Sequence, residues 1–156
     1  MKALTICNPW PAFILYSNEE LPGDYEQKRV ENRNWDTRYR GQLLIHAGKS
    51  KEWLLGWSPG NIGLMPKMHF GFLVGVVELV DIVTCGNGVQ GDPRRFARET
   101  LQKYPWLQFH THAFGRFCWI LENPRRFAKP IEYRGSQGLF DVPDKIISEV
   151  EYVKAA

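Results

Sequence analysis

The stretch Phe70–Val83 limits the possible folds more than any other part of the chain. It is the longest apolar segment, and Gly71 and Gly75 interrupt it. Like every other apolar run here it is too short to cross a bilayer. Glycine inside an apolar strand suits a bulge or a bend, so the segment reads as a long bent strand. Shorter strand patterns surround it. Lys2–Ile6 sets Ala3 and Thr5 against Leu4 and Ile6, and Arg29–Trp35, Gln42–Ala47, Phe114–Glu122, Lys129–Tyr133 and Leu139–Val142 follow. Asn123-Pro124 separates the last long pair. Helical signals are few. They cover Trp10–Tyr16 with Pro11 in its first turn, Lys51–Leu55 behind Ser50, Arg94–Lys103 after Asp92-Pro93, and a segment near Asp144–Tyr152 with Ile146, Ile147 and Val150 on one face. Ser17–Tyr25 reads as a loop, and Trp57–Met68, glycine- and proline-containing with little pattern, as a mobile flap. Many short strands with few helices predict an α+β class: a small mixed or antiparallel β-barrel with short helices packed outside it.

A chain of 156 residues suits one domain, residues 1–156, and can bury a core without metal or disulfide staples. Cys7, Cys85 and Cys118 are odd in number, far apart and without a C-x-x-C pair, which predicts reduced, half-buried thiols. The start Met1-Lys2-Ala3-Leu4-Thr5-Ile6 has no signal-peptide core, so a cytoplasmic protein is expected. No Walker-type or Rossmann glycine pattern is present, and His110, His112 and Cys118 fit no familiar zinc spacing. Neither a cofactor nor a metal is expected, and no membrane partner. The pattern carries no signal for an oligomeric state.

Net charge is +3 with a pI of about 8.8, which permits a polyanionic partner without requiring one. The arginines cluster as Arg33, Arg38 and Arg40, as Arg94, Arg95 and Arg98, and as Arg125, Arg126 and Arg134. Trp35, Tyr39, Phe96, Phe127 and Tyr133 lie among them. A guanidinium can donate two hydrogen bonds to one phosphate, and an aromatic face accepts a stacked base. Arginine stems packed on rings over a solvated surface are the plain alternative.

The segment Lys28-Arg29-Val30-Glu31-Asn32-Arg33 is the most suggestive. Strand alternation puts Glu31, Arg33 and Trp35 on one side and Val30, Asn32 and Asn34 on the other. Glu31 and Arg33 can therefore pair, with Lys28 at the strand entrance. Such charges on the concave side of a barrel need partners or a ligand. An edge strand protected by charge would look similar.

On these residues the chain resembles the ASCH family. The resemblance rests on Ala3-Leu4-Thr5-Ile6 before Asn8-Pro9-Trp10, then Lys28-x-x-Glu31-x-Arg33 with Asn32 and Trp35, Tyr39-Arg40-Gly41, Leu43-Leu44-Ile45-His46-Ala47, and Arg134-Gly135-Ser136-Gln137-Gly138-Leu139-Phe140. It runs through nearly the whole chain in order. The family hallmark G-x-K-x-x-E-x-R has Glu26 at its glycine here, and the loop Ser17–Gln27 is longer than the usual turn. The resemblance implies a PUA-like barrel with a cleft beside Lys28–Arg33, and a role on RNA or modified nucleosides. Two readings follow. In a nucleic-acid-binding module, Lys28, Arg33 and Arg40 hold phosphate and Trp35 or Trp10 stacks a base, with His46 at the wall. In a hydrolase, Lys28, Glu31 and Glu78 act on a modified nucleoside or RNA. One bacterial branch of the family hydrolyses N-acetylcytidine with a threonine where this chain has Glu31. Both readings expect Lys28, Glu31, Arg33 and Glu78 around one pocket.

Overall fold

The computed structural model describes residues 1–154. Its six strands are β1 (Lys2–Ile6), β2 (Val30–Arg33), β3 (Gly41–Ala47), β4 (Phe72–Thr84), β5 (Phe117–Glu132) and β6 (Leu139–Asp141). They form one sheet in the order β2-β5-β4-β3-β1-β6. The sheet is mixed: β1 runs parallel to β3 and antiparallel to β6, and β2 runs antiparallel to β5. Four short helices accompany it: α1 (Trp10–Leu15), α2 (Pro59–Leu64), α3 (Arg98–Lys103) and α4 (Asp144–Ile147). This is the α+β class, built on a mixed sheet with short helices, that the strand and glycine pattern predicts. None of the described helices is long and apolar enough to cross a membrane.

The chain divides into two compact units. The first comprises Met1–Gln27, Gln42–Glu78 and the segment from Asn123 on. Here Ala3 opposes Leu44 and Leu4 opposes Ile45 in the parallel pair. Ala3, Leu44, Leu73, Val76, Phe127 and Val142 form a core, with Ile146, Ile147 and Val150 packed against it. A second cluster of Ala12, Phe13, Leu21 and Met65 is flanked by Trp10 and Trp57. The glycine at position 75 has a specific cause. A Cβ there would lie 2.6 Å from the Arg125 carbonyl and 2.8 Å from a Leu15 methyl, so only hydrogen fits where α1 meets the strand.

Four expectations are corrected in this unit. Trp57–Met68 is not patternless: Ser58 accepts a hydrogen bond from Asn61 N (3.1 Å) and caps α2, whose glycines hide it from a periodicity reading. The helix expected over Lys51–Leu55 shrinks to one tight turn, Glu52–Leu54, behind Ser50. The helix expected to run to Tyr152 stops at Ile147. A turn follows, closed by Val150 N donating to Ile147 O (3.2 Å); past Val150 Tyr152 bridges Phe127 and Ala128 N donates to Glu151 O (2.7 Å), so strand pairing replaces further helix. Finally, Asn123-Pro124 does not end a strand, and β5 continues through it. Asn123 takes φ 50°, a left-handed conformation that asparagine tolerates better than most residues.

The second unit comprises Lys28–Gly41 and Leu79–Glu122. Val30, Phe96, Tyr104, Leu107, Cys118 and Ile120 belong to its core. The helix expected over Arg94–Lys103 is split. Asp92 Oδ1 accepts from Arg94 N (2.9 Å) and starts a tight turn at Pro93–Arg95, as its N-cap chemistry predicts. Phe96 then adopts φ −127° and ψ 149° and is buried, which takes the backbone off the helical path before α3 begins. Cys85 and Cys118 are both buried rather than half-buried, and only Cys7 is intermediate. Burial, with Cys85 alongside, pushes the Cys118 thiol up to about 12, so it stays protonated and unreactive.

Candidate functional site

Strand β2 in the second unit pairs with β5 so that Glu31 opposes Trp119 and Asn32 opposes Cys118. This register buries the Glu31 carboxylate at 7% exposure, and Lys28 just before the strand is 5% exposed. Buried charges persist only with good partners, and both find them. Lys28 Nζ donates to Val30 O (2.6 Å) and to Glu31 Oε1 (2.9 Å). Arg33 Nη2 lies 2.9 Å from Glu31 Oε2. One carboxylate thus bridges two cations, and the three side chains carry a net positive charge. Burial acts to raise the Glu31 carboxyl, but the Lys28 ammonium and then the Arg33 guanidinium outweigh it and hold it below the usual carboxylate range. Glu31 is ionised and both of its oxygens are occupied. Arg33 keeps about a quarter of its side chain in solvent.

Other residues of the unit set the surroundings of the triad. Trp35 stands edge-on to Trp119, with ring centroids 4.8 Å apart and planes at 83°. The Trp119 Nε1 donates to the Trp35 carbonyl (3.3 Å), so a fully buried indole fixes a half-buried one. Arg40 is exposed, and its Nη1 donates to Thr37 O and Tyr39 O, both at 2.8 Å, which orders the loop ahead of β3.

Sequence reasoning missed the clamp made by Asn32. Its Nδ2 donates to His112 O (2.7 Å), and its Oδ1 accepts from Phe114 N (3.1 Å) and from the Cys118 thiol (3.5 Å). Strand β2 is thereby tied to the His112–Phe114 turn. His110 Nε2 accepts from Arg29 N (3.0 Å), and the Arg29 guanidinium lies 3.8 Å from the Trp106 ring centroid. These partners are roughly eighty residues away in sequence, and no local pattern signals them.

Trp10, His46 and Glu78 belong to the first unit. Trp10 packs on Phe13 (5.4 Å) and edge-on to Trp53 (5.8 Å). Glu78 is half-buried at the middle of β4. His46 is 2% exposed. Its Nε2 lies 2.6 Å from the Tyr133 carbonyl and must carry the proton, which leaves Nδ1 to accept from the Thr5 hydroxyl at 3.1 Å. Burial lowers the His46 pKa, against the pull of the Tyr133 carbonyl, and keeps the ring neutral. Gly135 covers this imidazole. A Cβ there would sit 2.6 Å from both His46 Cε1 and Thr5 Oγ1. Gly135→Ala is therefore expected to destabilise by about 1–3 kcal/mol, as overpacking does. Gly63→Ala, whose Cβ meets open space, is the control for a thermal melt.

No family model and no curated protein matches the chain. Among solved structures it is similar to a mutant of the ASCH protein of Zymomonas mobilis, ZmASCH. The two share 14% identity, the match covers 96% of this chain and 98% of the other, and the TM-score is 0.52. The likeness shows an ASCH-type fold over nearly the full length of both chains.

Proposed function

We propose that this chain is an RNA- or other nucleic-acid-binding domain, and that it takes single-stranded or modified nucleotides beside β2. The observation that carries the reading is the bridged triad. Lys28 and Arg33 are held on one carboxylate, net positive, with Arg33 part-exposed and Trp35 on the same strand extension. Such a group suits a phosphate beside a base. Arg33 and Arg40 supply cationic donors, Lys28 supports Arg33 through Glu31, and Trp35 offers a ring for stacking. The ASCH-type fold and the resemblance of the Lys28–Arg33 segment support the same direction. Binding is favoured over hydrolysis because Glu31 is an ionised ion-pair partner with both oxygens engaged, unlike a free general base.

Direct binding tests this. A duplex hides its base faces, so single-stranded RNA should bind more tightly than the duplex of the same sequence. Trp35→Ala should weaken binding by about 1–3 kcal/mol if the ring stacks a base. Arg33→Ala should weaken it more than Arg125→Ala, whose guanidinium instead lies 4.8 Å from the Tyr152 ring centroid. Melting curves of each variant must show that it is folded. Equal affinity for both RNA forms, unchanged in folded Arg33 and Trp35 variants, would leave only non-specific surface charge.

A further inference from the structure

The first unit contains a cleft that nothing above uses. It has a volume of about 170 Å³ and lies between α1 and strands β4 and β5. Its lining mixes two kinds of residue. Leu15, Val74, Phe127 and Pro130 are apolar. Asn8, Lys67, His69 and Arg126 are polar. The lining contains two permanent cations and no carboxylate.

The polar groups are held in place. Asn8 is 2% exposed, and its Nδ2 donates to His69 O (2.7 Å) and Gly48 O (3.4 Å). Those bonds orient the carboxamide and leave its oxygen as an acceptor. Arg126 lies 3.8 Å from the Tyr16 ring centroid, and its Nη1 donates to Glu20 Oε2 at 2.8 Å. Glu20 is not among the lining residues, and one guanidinium can serve a second anion through its remaining donors. The His69 ring sits edge-on to Phe72 at 5.6 Å. A protein cavity of about 150 Å³ holds one benzene ring, so a cleft of this volume is the size of one ring with a small substituent.

We propose that this cleft binds a small planar anion: a single, hydrogen-bonding ring between α1 and the apolar strand residues, carrying one acidic group toward Arg126 and Lys67. The ring would displace water from Leu15, Val74 and Phe127, and a ring N–H would meet the Asn8 carbonyl oxygen. The acidic group would use a guanidinium whose orientation Tyr16 already fixes, which lowers the ordering cost of binding. The site is independent of the nucleic-acid reading of β2, since every residue it uses lies in the other unit.

Three probes separate the parts of the claim. Orotate has a hydrogen-bonding ring and a carboxylate, uracil has the ring alone, and acetate has the carboxylate alone. Titration of the protein followed by two-dimensional NMR reads both affinity and place. Orotate should saturate in the millimolar range or tighter and shift the amides of Ala12, His69 and Ala128. Uracil and acetate should each bind at least about tenfold more weakly. Arg126→Met keeps the stem on Tyr16 and should weaken orotate by about tenfold or more, in line with a charged hydrogen bond. Ala128→Trp, at an exposed rim position, should block the cleft without touching the core. A melt confirms that both variants fold. Acetate binding as tightly as orotate would overturn the ring, and so would orotate binding that is absent, survives both variants or shifts amides elsewhere.

Discussion

Replacing Glu31 with alanine is expected to lower stability by about 3–5 kcal/mol, the loss seen when one member of a buried ion pair is removed. The cause is what remains. Lys28 is 5% exposed and would keep only the Val30 carbonyl, while Arg33 would lose the carboxylate oxygen now 2.9 Å away. For a chain of this size the melting temperature should fall by roughly 6–20 °C. The double change Lys28→Met with Glu31→Leu removes both buried charges and should restore much of the loss, because apolar residues of similar volume often replace such pairs at little cost. The pH dependence has a definite sign. The folded-state pKa of Glu31 lies below its ordinary 4.5. Its contribution is therefore complete above about 4.5 and disappears as pH falls through the lower, folded-state value. The stability gap between wild type and Glu31→Gln, measured by urea unfolding, should narrow over that acid range and stay constant above it.

Trp119→Ala is expected to cost about as much, roughly 3–5 kcal/mol, by opening a large cavity. The indole is completely buried, stands opposite Glu31 in the strand register, and touches Trp35 with its ring and with Nε1. Losing it should also loosen Trp35, so RNA affinity should fall even in variant protein that is still folded. Trp119→Phe keeps an aromatic edge but loses the Nε1 bond, worth about 1 kcal/mol, and should recover more than half of the stability. If the two substitutions cost the same, the contact with Trp35 is not what Trp119 supplies.

Much of this is legible in the sequence. The alternation in Lys2–Ile6 and Gln42–Ala47 became β1 and β3, and Pro11 marked the first turn of α1. The Lys28–Glu31–Arg33 grouping was readable because its spacing is local: alternation puts positions 31 and 33 on one face, and the structure joins them through one carboxylate. Where reading failed, long-range packing overrode a local rule. Phe96 leaves the helical path to reach a core it shares with Val30 and Leu107, and the chain past Val150 extends to pair beside Phe127. Asn123-Pro124 looked like a stop because proline cannot donate to a ladder, yet asparagine's tolerance of φ 50° lets the strand pass. The Asn32 clamp and the cleft near Arg126 join residues dozens of positions apart, and only the folded chain brings them together.

The nucleic-acid reading is tested most directly by the salt dependence of RNA affinity in wild type and in folded Arg33→Ala. Fluorescence anisotropy with a labelled single strand, between about 50 and 300 mM salt, gives the slope of log K against log salt. Each phosphate contact on a single strand contributes about −0.7 to that slope. Wild type should bind with a steep negative slope, and Arg33→Ala should bind more weakly with a slope shallower by about 0.7. Absence of binding by the wild type, or an identical slope and affinity in the variant, would contradict a phosphate site at β2.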